Sequence, residues 1–211
     1  MIRRQGTGPL SRGALRAGAA GICALLALGG CDRKGEILIV PEFDETATFD
    51  SGWDGWIPAW AAEGAATASV TRQAVGEMGE GAAVRFRLNA PTGRVTAWVE
   101  RTFEVESDQR YRAEVTLMLG LADDLPPEGW AWVARADSTA PAGGEALSPV
   151  ALPGGLQGTG EGLAWTPLTL TVEGTSDEDG TLVLALGVRM SAVGAGSVYM
   201  DDVRARFFRT F

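Results

Sequence analysis

Arg110-Tyr111-Arg112-Ala113-Glu114-Val115-Thr116-Leu117-Met118-Leu119-Gly120-Leu121 alternates without a break. Tyr111, Ala113, Val115, Leu117, Leu119 and Leu121 are apolar, and largely polar or small residues fall between them. A period of two puts one set on a buried face and the other on an open one, which predicts a long half-buried β-strand. Val84, Phe86 and Leu88 repeat the pattern around Arg85 and Arg87, as do Leu168, Leu170 and Val172 around Thr169 and Thr171. Between Leu182, Leu184, Leu186 and Val188 lie Val183, Ala185 and Gly187, so this strand is expected to be covered on both faces. Further strands are predicted over 68–74, 95–105, 130–136 and 198–208. No segment carries an apolar stripe of helical period with caps. Turn residues separate the runs: Asn89-Ala90-Pro91-Thr92-Gly93, Pro126-Pro127-Glu128-Gly129 and Asp177-Glu178-Asp179-Gly180. Strands at this spacing predict an all-β fold, a two-sheet antiparallel β-sandwich. Residues 137–162, rich in Gly, Pro, Ser and Ala, are the exception. They read as a mobile loop or as one carrying a short strand near 150–152.

The start of the chain has another character. Arg3, Arg4, Arg12 and Arg16 precede an uncharged stretch, 17–30, that is too short and too rich in Gly and Ala to span a bilayer comfortably. It reads as a secretory signal segment. Leu28-Gly29-Gly30-Cys31 at its end resembles the lipobox of bacterial lipoproteins, which implies cleavage before Cys31 and lipid on its thiol. The organisation expected is a lipoprotein signal peptide over 1–30, a lipidated tether over 31–35 and one domain over 36–211. Cys23 then leaves with the signal, and the mature chain has neither a free thiol nor a disulfide.

Cleavage would remove 30 of 211 residues, including four arginines and no acid, leaving 14 basic against 27 acidic residues, a net of −13. Such a chain repels nucleic acid and anionic lipid headgroups, so membrane attachment is expected through the acyl chains alone. One hydrophobic core is expected at this length. Histidine is absent, which excludes Ser-His and Cys-His nucleophilic schemes and imidazole zinc sites. Paired carboxylates stay available for a glycosidase-like site. Asp177 to Gly180 lacks the downstream Glu of an EF-hand loop and reads as a tight turn.

Two groups of residues carry candidate chemistry. Trp130 and Trp132 share one face of a predicted strand, about 7 Å apart along it. They are read either as a stacking platform for neighbouring sugar units or as core. Trp53, Trp56 and Trp60 fall in an irregular segment punctuated by Gly and Pro, closing an end of the sandwich or edging a ligand site. In the last strand Tyr199, Asp201, Val203, Ala205 and Phe207 share parity, which places the Asp201 carboxylate on an otherwise apolar face. A carboxylate there must be neutralised or hydrogen-bonded.

The order of these features resembles a family. Phe43-Asp44, Phe49-Asp50, Gly52-Trp53 and Gly55-Trp56 come first, then the Tyr-led strand after Ser107-Asp108-Gln109-Arg110, then Trp165-Thr166-Pro167-Leu168, and last Val198-Tyr199-Met200-Asp201-Asp202-Val203. The chain is similar to the galactose-binding-like jelly rolls of carbohydrate-binding modules, especially the cellulose- and xylan-binding group. That resemblance implies a jelly-roll sandwich, a glycan or polysaccharide ligand with Trp130 and Trp132 as its contacts, and one structural calcium ion with Asp201 and Asp44 as ligands. Backbone N–H groups satisfying Asp201 are the alternative to the metal. The functional expectation is a membrane-anchored, non-catalytic carbohydrate-binding lipoprotein of the cell envelope. A structural lipoprotein docking another envelope protein is the second reading, and a glycan-active enzyme the third.

Overall fold

The computed structural model describes residues 2–4, 41–74, 81–152, 163–191 and 193–210. Cys31, the tether over 31–35 and the signal segment other than Ile2–Arg4 lie outside the described residues. In chain order the strands are β1 Ile2–Arg4, β2 Phe43–Ala47, β3 Ile57–Ala62, β4 Thr67–Ala74, β5 Ala82–Ala90, β6 Val95–Glu104, β7 Arg110–Leu121 and β8 Trp130–Asp137. A 3-10 turn, Gly144–Ala146, leads into β9 Ser148–Pro149, followed by β10 Ala164–Thr175, β11 Thr181–Met190 and β12 Gly194–Thr210. One sheet runs β1-β3-β6-β11-β8-β9 and the other β10-β7-β12-β5-β4, with β2 added beside β12. Every pairing is antiparallel. The fold is the two-sheet antiparallel β-sandwich that the alternating runs predicted, of the jelly-roll type that the resemblance implies.

The alternation in β7 is borne out residue by residue. Tyr111, Ala113, Val115, Leu117, Leu119 and Leu121 are all buried between the sheets, and the residues between Tyr111 and Leu119 are partly open. Phe86 of the second sheet meets Trp132 of the first edge-on at 6.0 Å, and Phe103 meets Phe207 across the same gap at 4.6 Å. Full burial of each phenylalanine contributes about 1.5–3 kcal/mol. The hydroxyl of Tyr111 accepts a bond from the Glu106 N–H at 3.0 Å and donates to the Glu42 carboxylate, which locks the start of β7 against the chain entering β2. At the turn before β11, Asp177 Oδ1 accepts the N–H groups of Asp179 and Thr181, and Gly180 takes a φ of 76°, as a turn rather than a calcium loop requires.

β11 is buried on both faces, as its sequence predicts. The cover comes from the segment after β8. Leu147 packs on the outer face of the first sheet with Trp98, Val133, Ala185 and Ala59. Arg189 of β11 donates through Nη2 to the carbonyls of Gly144 at 2.5 Å and Leu147 at 2.7 Å. A Cβ on Gly144 would lie 2.4 Å from Thr96 Oγ1, so only glycine lets this strap lie so close to the sheet. The short strand is at 148–149 rather than 150–152, with Val150 N–H donating to the Trp132 carbonyl at 2.9 Å. Residues 153–162 lie outside the described residues.

The apolar parity of β12 changes along its length. Val198 and Met200 face the core ahead of an irregularity between Asp201 and Arg204, and Val203, Ala205 and Phe207 face it afterwards. Asp202 sits at the shift with a φ of 49°. There β12 also changes neighbour, from β5 over 194–200 to β2 over 203–207, while β7 follows its other flank. One extra residue lets a single strand serve two partners, and it turns every earlier side chain to the opposite face.

Candidate functional site

This arrangement decides between readings the sequence left open and corrects others. Trp132 is 0% exposed and belongs to the core, where β8 presents its even-numbered residues to the second sheet, so no sugar reaches its ring. Trp130, on the same face, is partly buried and packs against that core, so the two do not form an open platform. Trp60 lies on β3 rather than in an irregular segment, and Trp56 is buried.

Asp201 does not share a face with Val203, Ala205 and Phe207, because the bulge lies between them. It sits half-buried beside the irregularity, its Oδ1 accepting the Asp202 N–H at 2.8 Å. Loss of hydration, with the negative charges of Asp202 and Asp50 nearby, pushes its pKa up to about 6. Asp44 is not beside it. In the β2–β12 register Asp44 stands opposite Arg206, five residues past Asp201 and on the order of 15 Å along the strand. Its carboxylate is gripped by the Arg204 guanidinium, Nε to Oδ1 at 2.7 Å, and that contact holds its pKa below the usual carboxylate range. Among the described residues no three acidic, His or Cys side chains are placed to hold a metal ion. Asp44 and Asp201 therefore do not fit a shared calcium.

A different set of residues converges on the outer face of the second sheet. Trp165 of β10 stands opposite Gly120 of β7, which stands opposite Tyr199 of β12, which stands opposite Arg85 of β5. These residues form one row across four strands. A Cβ on Gly120 would lie 3.1 Å from the Trp165 ring, so the indole lies over the glycine. Its ring meets that of Tyr199 at 6.4 Å and 63°. Arg85 covers the other side of Tyr199 at 5.8 Å and donates to Ser197 Oγ and to Gln73 Oε1. Tyr199 is thereby 8% exposed, and Trp165 is partly exposed, its Nε1 buried without a hydrogen-bond partner among the described residues. Beside this row lies a cleft of about 450 Å³ lined by Thr67, Ser69, Arg87, Asn89 and Asp124. Asp124 accepts the Ser197 N–H at 2.8 Å.

The sequence held a signal for this face. Trp165 is out of phase with Leu168, Leu170 and Val172, so it points away from the core that they fill. Tyr199 could not be assigned a face without the bulge.

No protein-family model matches the chain, and no curated protein matches it in sequence. Among solved structures it is similar to the CBM22-1 xylan-binding domain of Xyn10C from Paenibacillus barcinonensis, with 14% identity over 79% of this chain and 95% of that one, and a TM-score of 0.42. The carbohydrate-binding module TmCBM27, described for specific mannan recognition, gives 17% identity over 79% and 96%, with a TM-score of 0.38. The K2 cleaved adhesin domain of Lys-gingipain gives 14% over 80% and 98%, with a TM-score of 0.41. Likeness at this level assigns no ligand. The functional reading rests on this chain's own residues.

Proposed function

We propose that the chain is a non-catalytic glycan-binding module of the bacterial cell envelope, anchored by lipid on Cys31, and that sugar lies along the outer face of the second sheet. The observation carrying this reading is the position of Trp165. It is a partly exposed indole at one end of the row that runs to Arg85, and beside that row lies a cleft of hydroxyl, amide, guanidinium and carboxylate groups. Sugars ask for this combination, because their C–H faces stack on aromatic rings and their hydroxyls need donors and acceptors together. A sheet face also holds such groups at fixed spacing, which limits the ordering cost of binding. The absence of histidine supports a binding rather than a catalytic role.

Docking of another envelope protein calls for a contiguous apolar patch. Ile57 and Val193 are the exposed large apolar side chains among the described residues, which favours the glycan reading. A glycan-array screen of the full chain in detergent tests it. Binding to a defined group of glycans, lost on Trp165→Ala, is the expected result. A folded wild-type chain that retains no glycan overturns the proposal.

A further inference from the structure

Arginines in this chain are, in the main, answered by acids. Arg94 bonds Glu63 and Glu145, Arg101 bonds Glu45, Arg110 bonds Glu173, Arg135 bonds Asp137 and Arg204 bonds Asp44. Arg72 and Arg189 instead donate to backbone carbonyls. Two arginines of β5, on the outer face of the second sheet, depart from both patterns. Arg85 is held by neutral acceptors, Ser197 Oγ and Gln73 Oε1, and the side chain of Arg87, two residues on and exposed in the cleft, makes no hydrogen bond or ion pair among the described residues. The acid lining the cleft, Asp124, accepts from the backbone N–H and the hydroxyl of Ser197 rather than pairing with Arg87. Two arginines with no acid bonded to them thus stand on one face of β5, their Cα atoms about 7 Å apart, in a chain carrying 27 acidic against 18 basic residues.

We infer that the cleft takes a polysaccharide bearing carboxylates, a uronate-rich chain, with Arg87 as its carboxylate-binding residue and Arg85 as the second positive charge. This rests on the reading of the face as a glycan site. The planar guanidinium fork of Arg87 matches a carboxylate through two parallel N–H···O bonds, a contact that a neutral sugar cannot reproduce. Ser69, Thr67 and Asn89 beside it supply hydroxyl and amide groups for the remaining ring oxygens. The net negative charge of the rest of the chain repels polyanions that do not reach this face, so the local charge acts as a filter as well as an attraction.

The test is calorimetric titration of the full chain in neutral detergent with an oligogalacturonate, and with the same oligosaccharide methyl-esterified so that the backbone is kept and the charge removed. Dextran sulfate serves as an unrelated polyanion. The acid is expected to bind about tenfold or more tightly than its ester, as loss of a charge-assisted hydrogen-bond pair implies, and to weaken as salt is added. Arg87→Gln, at an exposed position, is expected to keep the melting temperature and to abolish the preference for the acid over the ester. An ester that binds as well as the acid, or an acid preference that survives Arg87→Gln, overturns the inference. Dextran sulfate binding as tightly as the oligogalacturonate also overturns it, since general charge attraction then suffices. If neutral glycans bind and the acid does not, this inference alone fails. If no glycan of either kind binds, the reading of the face fails with it.

Discussion

Trp165 and Tyr199 flank Gly120 in one row across β10, β7 and β12, their rings 6.4 Å apart over the place where a glycine side chain is missing. The gap matters because β7 otherwise carries side chains on this face. A methyl group at 120 would come within 3.1 Å of the indole, which would have to give by a few tenths of an ångström.

Trp165→Ala is therefore expected to weaken glycan binding by on the order of 1–3 kcal/mol while the domain stays folded. Gly120→Val is expected to act in the same direction by displacing the ring. Trp132→Ala should do the reverse, lowering stability by about 3–5 kcal/mol because it empties a fully buried site between the sheets. Melting curves and binding isotherms measured together on the three variants separate the roles. A Trp165 variant with wild-type affinity would remove the indole from the site.

The Asp201 carboxyl sets a pH dependence of stability. Its pKa is about 6 in the folded chain against an ordinary 3.8, so the folded state holds this proton more tightly than the unfolded state does. Its contribution is present in full below pH 3.8 and is lost as pH rises toward 6. Asp201→Asn, neutral throughout, is expected to match the wild type near pH 3.5 and to melt at a higher temperature at pH 7 in chelator. A bound calcium would reverse the sign by favouring the ionised carboxylate, and calcium would then raise the wild-type melting temperature at pH 7 but not that of the variant. Equal melting temperatures for the two proteins across the range would show that Asp201 is as well solvated folded as unfolded.

One side chain from below contributes to holding the strap over the first sheet. Arg189 supplies the donors for the Gly144 and Leu147 carbonyls, and burial pushes its pKa down from the ordinary value. Arg189→Leu removes the Arg189 donor from the Leu147 carbonyl, at about 1–3 kcal/mol if that group is left unpaired, whereas the Gly144 carbonyl keeps the Leu147 N–H. Hydrogen exchange across 144–150 is expected to accelerate in the variant while β7 and β12 stay protected. Uniform acceleration over the whole domain would mean that the strap does not open separately. Leu147→Ala is expected to cost about 2–5 kcal/mol, since Leu147 is buried against Trp98.

The anchor is tested by Cys31→Ser, which removes the thiol that lipid modification needs. The variant is expected to leave the detergent phase in a phase-separation assay while retaining the glycan affinity of the wild type. Unchanged partitioning would end the lipoprotein reading.

Much of the sandwich could be read from alternation, because a strand with one buried face must keep an apolar period of two. The double burial of β11 was legible in the same way. β2 and β3 were not, since Phe43-Asp44-Glu45-Thr46-Ala47 and Ile57-Pro58-Ala59-Trp60-Ala61-Ala62 carry no sustained alternation and are strands because longer neighbours, β12 and β6, offer them ladders. The face of Asp201 was misread for a reason inherent in parity arguments. One inserted residue inverts every assignment on one side of it, and the need for that residue arises from β12 passing from β5 to β2, a fact of topology. The aromatic row depended on register as well. Local sequence placed Trp165 out of phase with its own strand, but the meeting of Trp165, Tyr199 and Arg85 over Gly120 joins positions that are distant in the chain and adjacent in the sheet. Periodicity, a local property, determined the strands and the class of the fold. The pairing of those strands, which fixes which side chains stand opposite one another, was decided only when the sheets assembled.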